Sequence, residues 1–418
     1  MPYRIHGRLA RMLLPVPLLF PVSLPCNAQN VVCSAGFGSF DADSATGVAL
    51  SVGAIRQTGL AQRACDAKMS WENASLTLVP RAWQVDVDLM NVDLGLGSPV
   101  AAFEIKQTDV DPLMTYEIYS LSKPPHKLRT ITGGDSFRAA DTNLDGQIEI
   151  WTHDAGAVNG FEGMPLSAFD FPPAMALRFE NRRLIDVSFE FQSRFDGQIA
   201  TLRAQLDRNE LTEFKNCDGK LSSLFPGSFD ELRGLLSTKT KVLEIVWSYL
   251  YSGREQEAWQ ALAEMWPASD LDRIHASILD ARARGIRRQV DGVSSLSAPA
   301  RRKKRVMIYD NVTENLGGKT VPAAVGRTDE KEFQVDTQPQ AILLMRPPLP
   351  ADAPPGASNA AVVVDLVIDS AGKVWSIKTV GEPNKDLIGA SAQWRFVPGL
   401  KDGRPVACRL RMEVAPLR

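Results

Sequence analysis

The residues best suited to chemistry lie in one short run. Asp141-Thr142-Asn143-Leu144-Asp145-Gly146-Gln147-Ile148-Glu149 puts oxygen-bearing side chains at alternate positions. Calcium takes roughly six to eight oxygen ligands, and a loop with glycine at its sixth position can curl such groups around the ion. Asp141, Asn143, Asp145, Gln147 (through a carbonyl) and Glu149 are the candidate ligands. An EF-hand needs glutamate at its twelfth position, where this chain has Thr152. The same residues suit a polar hairpin turn in which Asn143 and Asp145 hold backbone amides. Calcium is the one cofactor the sequence offers, and both readings stand.

Other reactive constellations are thin. The chain has four histidines, His6, His126, His153 and His275, and neither G-x-S-x-G nor H-E-x-x-H occurs. Gly317-Gly318-Lys319-Thr320 resembles the end of a phosphate loop, but Thr313 stands where its first glycine belongs. Asp86 and Asp88 are paired acids at strand spacing, not a glycosidase couple by any other sign. The sequence gives no reason to expect an enzyme.

The elements that would position these residues begin behind an export signal. Arg4, Arg8 and Arg11 precede an apolar run from Met12 to Leu24, and Cys26-Asn27-Ala28 supplies small residues before Gln29. A basic head, a short apolar middle and a small-residue exit form a secretory signal peptide over residues 1–28. The run is shorter than the roughly 20 residues of a membrane span, and Pro15, Pro17 and Pro21 interrupt it. Export to the periplasm or cell envelope is the expectation, with a retained inner-membrane anchor as the lesser option. Four cysteines then remain in an oxidising compartment: Cys33, Cys65, Cys217 and Cys408. Cys33 with Cys65 is the natural local pair, which leaves Cys217 with Cys408.

With 418 residues, 44% hydrophobic, 23% charged and a net charge of −2, the chain is an ordinary globular one, long enough for two or three domains. That charge balance argues against nucleic acid as a partner. The predicted fold class is α+β multidomain. Residues 30–195 read as a β-rich domain. Within it Ala82–Leu89 alternates apolar with polar, the pattern of a sheet half buried on one face. Residues 196–290 read as helical, with Ile199, Leu202 and Leu206 on one face. Residues 291–340 read as a connector carrying the basic run 301–305, and Pro-rich pieces at 346–350 and 354–356 form a stiff approach to a final domain, 341–418.

That last domain has a pattern of its own. Val362, Val364, Leu366 and Ile368 share one face of a strand, and Asp369-Ser370-Ala371-Gly372-Lys373 closes a hairpin onto Val374–Val380. Leu387, Ala390, Ser391 and Trp394 share a helical face. Asp402-Gly403 turns the chain into a strand whose apolar side is Cys408, Leu410, Met412 and Val414.

V-V-V-D-L-V-I-D-S-A-G-K-V, then W-R-F-V-P-G, then D-G-R-P-V-A, resembles the TonB C-terminal domain over about residues 340–418. The resemblance implies a small sheet with a helix packed on it. It also implies a partner, an envelope protein or outer-membrane receptor segment, added as a strand to the edge Arg409, Leu410, Arg411, Met412, Glu413 and Val414. Arg409 and Arg411 would flank the incoming peptide, while Trp394, Phe396, Gly403 and Pro405 would make the fold. The chain departs from TonB transducers in its cleavable leader, its short Pro-rich piece and Leu349-Pro350 in place of Tyr-Pro. Two weaker likenesses accompany it. Residues 141–149 resemble a single FG-GAP calcium loop. Tyr249, Gly253, Ala258 and Leu262 resemble one tetratricopeptide hairpin over about residues 237–267. The expected function is protein binding or transport association in the envelope. The alternative is a secreted calcium-dependent ligand binder or enzyme with an accessory TonB-like domain.

Overall fold

The computed structural model describes residues 31–55, 64–221, 228–294, 306–310, 313–315, 320–322, 331–345, 362–381 and 384–414. The expected signal peptide, the basic run and the Pro-rich approach lie outside the described residues. The fold class is α+β, with several separate sheets and a helical middle.

A short strand β1 (Cys33–Ser34) leads into an antiparallel meander of β2 (Phe40–Asp43), β3 (Ala49–Ile55), β4 (Ala64–Trp71) and β5 (Ala74–Ala82). A second antiparallel sheet follows from β6 (Gln84–Val92), β7 (Val100–Lys106), β8 (Met114–Ser120) and β9 (His126–Gly134), with β1 pairing onto β6. Val85, Val87 and Phe103 turn toward the meander, sharing a core with Leu50, Val52 and Met69. The Cys33–Cys65 disulfide ties β1 to β4, and with it the two sheets. The third sheet is built from β10 (Phe137–Ala140), β11 (Glu149–His153), β12 (Ala174–Glu180) and β13 (Arg183–Asp186), with α1 (Ala155–Val158) after β11.

Helices α2 (Gln192–Gln205), α3 (Arg208–Lys215), α4 (Phe229–Tyr251), α5 (Glu255–Met265) and α6 (Leu271–Arg284) then pack against these sheets. Ser228 and Glu231 form a capping box that starts α4, satisfying amides that a helix start leaves without partners. The α4–α5 turn uses Gly253 at φ 78°, a left-handed conformation that glycine adopts at little cost. Trp247 on α4 sits between Phe161 and Phe169, at centroid distances of 5.0 and 5.4 Å. One core runs from Leu89, Tyr116 and Ile131 on the second sheet to Val246, Leu262 and Ile278 on the helices. The chain then returns to the third sheet as β14 (Gly292–Val293), parallel to β13.

The last part begins with the pair β15 (Thr313–Asn315) and β16 (Thr320–Pro322) and continues with β17 (Gln340–Leu343). Strands β18 (Val362–Ile368) and β19 (Val374–Thr379) form the expected hairpin. The helix α7 (Lys385–Ser391) follows, then β20 (Arg395–Val397) paired with β17. A tight hairpin of β21 (Gly399–Lys401) and β22 (Arg404–Val406) leads to β23 (Cys408–Val414), giving a three-stranded sheet in the order β19-β18-β23. Cys408, Leu410, Met412 and Val414 are all buried, as their alternation requires. Trp394 is fully buried under this sheet and its Nε1 donates to the Met345 carbonyl at 2.7 Å.

The structure corrects two expectations. Cys217 and Cys408 form no disulfide with each other. Cys217 follows α3 and packs on the helical core, whereas Cys408 is buried in the C-terminal sheet. The Ala82–Leu89 segment does not expose its polar face: Trp83 is exposed, but from Gln84 on every residue lies in β6, which is buried throughout. Its polar face is covered by β20 and β22 of the C-terminal unit and by β10.

Candidate functional site: a buried charge cluster under the C-terminal unit

The covered face of β6 holds a cluster of buried charged groups: Asp86, Asp88 and Glu104 with Lys373 and Arg395. Asp86 faces Glu104 directly across the β6–β7 pair. The register then slips, with Val87 opposite Phe103 but Leu89 opposite Ala102, so Asp88 is the extra residue of a β-bulge. A bulge re-aims a side chain and takes its backbone out of the ladder. Asp88 uses both freedoms.

Its carboxylate meets Lys373, the last residue of the D-S-A-G-K hairpin, at 2.6 Å between Oδ1 and Nζ, each side chain being 2% exposed. Lys373 Nζ also donates to the Asp88 carbonyl oxygen. The other oxygen, Oδ2, accepts from the Tyr116 hydroxyl at 2.6 Å and the Ala139 amide at 2.9 Å. Two residues back on β10, the Phe137 amide donates to Glu104 Oε2 at 3.1 Å. Arg395, from the W-R-F motif, pairs with Asp86 at 2.5 Å, and Asp86 Oδ1 accepts from the Val32 amide at 3.0 Å. The Arg138 guanidinium reaches the Ala392 carbonyl.

Local chain geometry explains how Lys373 is delivered. Asp369 Oδ1 accepts from the Ala371 and Lys373 amides at 2.9 and 2.7 Å, which winds the hairpin tightly. Gly372 sits at φ 78°, and a Cβ there would lie 1.8 Å from the Phe396 carbonyl oxygen. Only glycine lets β20 pass this close.

The electrostatics follow from the lack of water. Burial pushes the Lys373 ammonium below its usual range, against the pull of Asp88. Burial also works against the Asp88 carboxylate, but Lys373 and the Tyr116 hydrogen bond outweigh it and hold the group low. Glu104 has no cation of its own at this distance. Burial first, then the charge of Asp86, raise it well above the carboxylate range. Burial and the neighbouring Asp88 likewise raise Tyr116. The result is an ion pair near a carboxyl group whose neutral form burial favours.

The acidic loop is placed at the edge of this cluster. Asp141 is fully buried, and its amide donates to Asp369 Oδ2 at 2.8 Å. Its own Oδ1 and Oδ2 accept from the Asp145 and Gly146 amides at 3.0 and 2.9 Å. Asn143 Oδ1 accepts from the Asp145 amide at 3.2 Å, and Asp145 Oδ1 from the Gln147 amide at 2.9 Å. Glu149 Oε2 accepts from the Thr142 amide at 3.3 Å, and Oε1 faces Arg178 at 3.4 Å. Asp141, Asn143, Asp145 and Glu149 each turn at least one oxygen onto the loop's own amides. Among the described residues, no set of three or more His, Cys, Asp or Glu side chains is gathered to hold a metal.

The expected partner edge is also engaged within the chain. Arg411 pairs with Asp365 on β18, two bonds at 2.8 Å, and Arg409 pairs with Asp310 at 3.1 Å. Tyr309 runs parallel to the start of β23, its amide donating to the Ala407 carbonyl at 2.9 Å and its carbonyl accepting from the Arg409 amide at 2.8 Å. Leu410, Met412 and Val414 point into the core, and Glu413 is half-buried.

Sequence reasoning found Asp86 and Asp88 but not their partners. The signals were the two cations of the C-terminal motifs, Lys373 and Arg395, each set among apolar neighbours. No family model, curated protein or solved structure matches the chain.

Proposed function

We propose that the chain is an exported cell-envelope protein whose C-terminal unit, similar to the TonB C-terminal domain, binds an extended segment of a partner along β23. The observation that supports this reading is the sheet β19-β18-β23 with β23 at its margin. Tyr309 hydrogen-bonds the outward backbone of Ala407 and Arg409, so by alternation Arg411 and Glu413 also direct their amides away from β18. A partner strand would use those groups in a parallel or antiparallel ladder and would have to displace the 306–310 segment and the β15–β16 hairpin, which lie against β23. The ion pairs of Arg409 and Arg411 with Asp310 and Asp365 would be exchanged for contacts with the partner.

Glu413→Pro tests the reading, because proline removes an outward amide at little cost to the sheet inside the chain. A photo-crosslinker at Arg411 should capture an envelope protein in cells. The Glu413→Pro variant should fold with an unchanged melting curve and lose the adduct. Equal adducts from both chains, or a native chain retained in the cytoplasm with its leader intact, would overturn the proposal. A mature chain starting near Gln29 in the periplasmic fraction agrees with it.

A further inference from the structure

We propose that Lys373 and Asp88 condense into an intramolecular amide bond, with Glu104 as the proton carrier, covalently joining the C-terminal unit to the second sheet. The inference stands apart from the partner-binding reading and does not need it.

Four observations carry it. The amine and the carboxyl are already in contact, at 2.6 Å, and both are sealed from water. The Asp88 backbone carbonyl, freed by the bulge, takes a second hydrogen bond from Nζ and fixes the approach of the amine. Oδ2 alone receives two strong donors, the Tyr116 hydroxyl and the Ala139 amide. That is how a tetrahedral intermediate is held, with one oxygen stabilised and the other free to leave. Finally, Glu104 sits in the sheet directly between Asp86 and Tyr116, the residue that donates to Asp88, and burial favours its neutral form. A neutral carboxylic acid on the same covered face can take one proton and return another.

The step balances without an oxidant, reductant or co-reactant. The Lys373 ammonium first passes a proton to the Asp88 carboxylate, giving a neutral amine and acid. The amine lone pair attacks Cγ, a C–N bond forms, and negative charge develops on Oδ2. Glu104 takes a proton from the nitrogen and delivers its own to Oδ1. The Cγ–Oδ1 bond breaks and one water leaves. A cation and an anion become a neutral amide, so net charge is unchanged.

Burial also favours the direction. In water, amine and acid are stabilised as ions and condensation is uphill. In a dry site both ions lose hydration, and an ion pair returns only part of that loss. Arg395 prevents a competing reaction, because it pairs with Asp86 and a protonated guanidinium is a poor nucleophile.

Mass spectrometry of the denatured, reduced full-length chain tests this directly. The expected mass is lighter than the sequence by one water, and proteolysis should give a branched peptide containing Lys373 and Asp88. Lys373→Arg keeps a cation against Asp88 and should show the full mass. Glu104→Gln keeps a neutral group of the same shape, and should fold while showing the full mass or a many-fold slower loss of water. A folded native chain at full mass with no branched peptide overturns the cross-link. A fully linked Glu104→Gln chain overturns the role given to Glu104.

Discussion

At the residue scale, the charge cluster combines interactions whose cost depends on keeping both partners. Removing one member of a buried pair leaves an uncompensated charge, typically costing about 3–5 kcal/mol. Arg395→Met should therefore lower stability by about that amount in urea unfolding, while Asp86→Leu combined with Arg395→Met should recover most of it. A double variant as unstable as the single one would show that the loss came from packing and not from the charge. Asp86 and Asp88 were legible as a pair of acids, but their burial was not. Their cations lie more than 280 residues away in sequence, beyond the reach of any local pattern. Conversely, Cys33 and Cys65 were legible as a pair because both fall in the same strand-rich region, and they are bonded. Cys217 and Cys408 were paired only by elimination, and elimination carries no geometry.

At the scale of elements, the hairpin from Asp369 to Lys373 does the positioning. The sequence announced it, since Asp at its start and Gly before its end are turn residues with mechanical roles. What the sequence did not announce was the carbonyl of Phe396 packed against Gly372. Gly372→Ala should cost at least about 2 kcal/mol, because the residue has positive φ and the obstacle is backbone that cannot rotate aside. A melting curve matching wild type would show that β20 can move away. The disulfide is a second element-scale device. It closes a sequence separation of 32, for which chain entropy gives about 3–4 kcal/mol. Cys65→Ala should lose about this much stability, read from the denaturation midpoint. A loss below about 1 kcal/mol would mean that the meander and the second sheet hold together through their shared core alone.

At the scale of the molecule, several carboxylic acids are buried without full compensation. Burial raises Asp141 to about 6, and Glu149, Glu244 and Asp369 to about 7 each. In the unfolded chain these groups ionise near pH 4, so between about pH 4 and pH 7 the folded state holds more protons. Stability must therefore fall as pH rises through that window and level off above it. Chemical denaturation at about pH 5 and about pH 7.5 should give the higher midpoint at pH 5. The opposite order would mean that these carboxylates gain cations or water in solution. The overall architecture was readable from period alone: strands before residue 192, helices to 284, and strands again at the end. The shared core between second sheet and helices was not, because one alternating strand pattern looks the same against solvent and against another element.

The arrangement of β6 also sets a timetable for the chain's own maturation. The bulged strand is complete once residue 92 is made, yet the lysine and arginine that neutralise it lie more than 280 residues further along the chain and are made only later. Throughout that interval an acidic strip, built to be dry, stays wet and open. The sheet below it cannot close until β20 and β22 arrive to cover it. A chain stopped before residue 362 would be left in that unfinished state, a natural client for holding chaperones and proteases. Synthesis of the C-terminal unit is thereby coupled to survival of the product: only a chain that carries Lys373 and Arg395 can hide these acids.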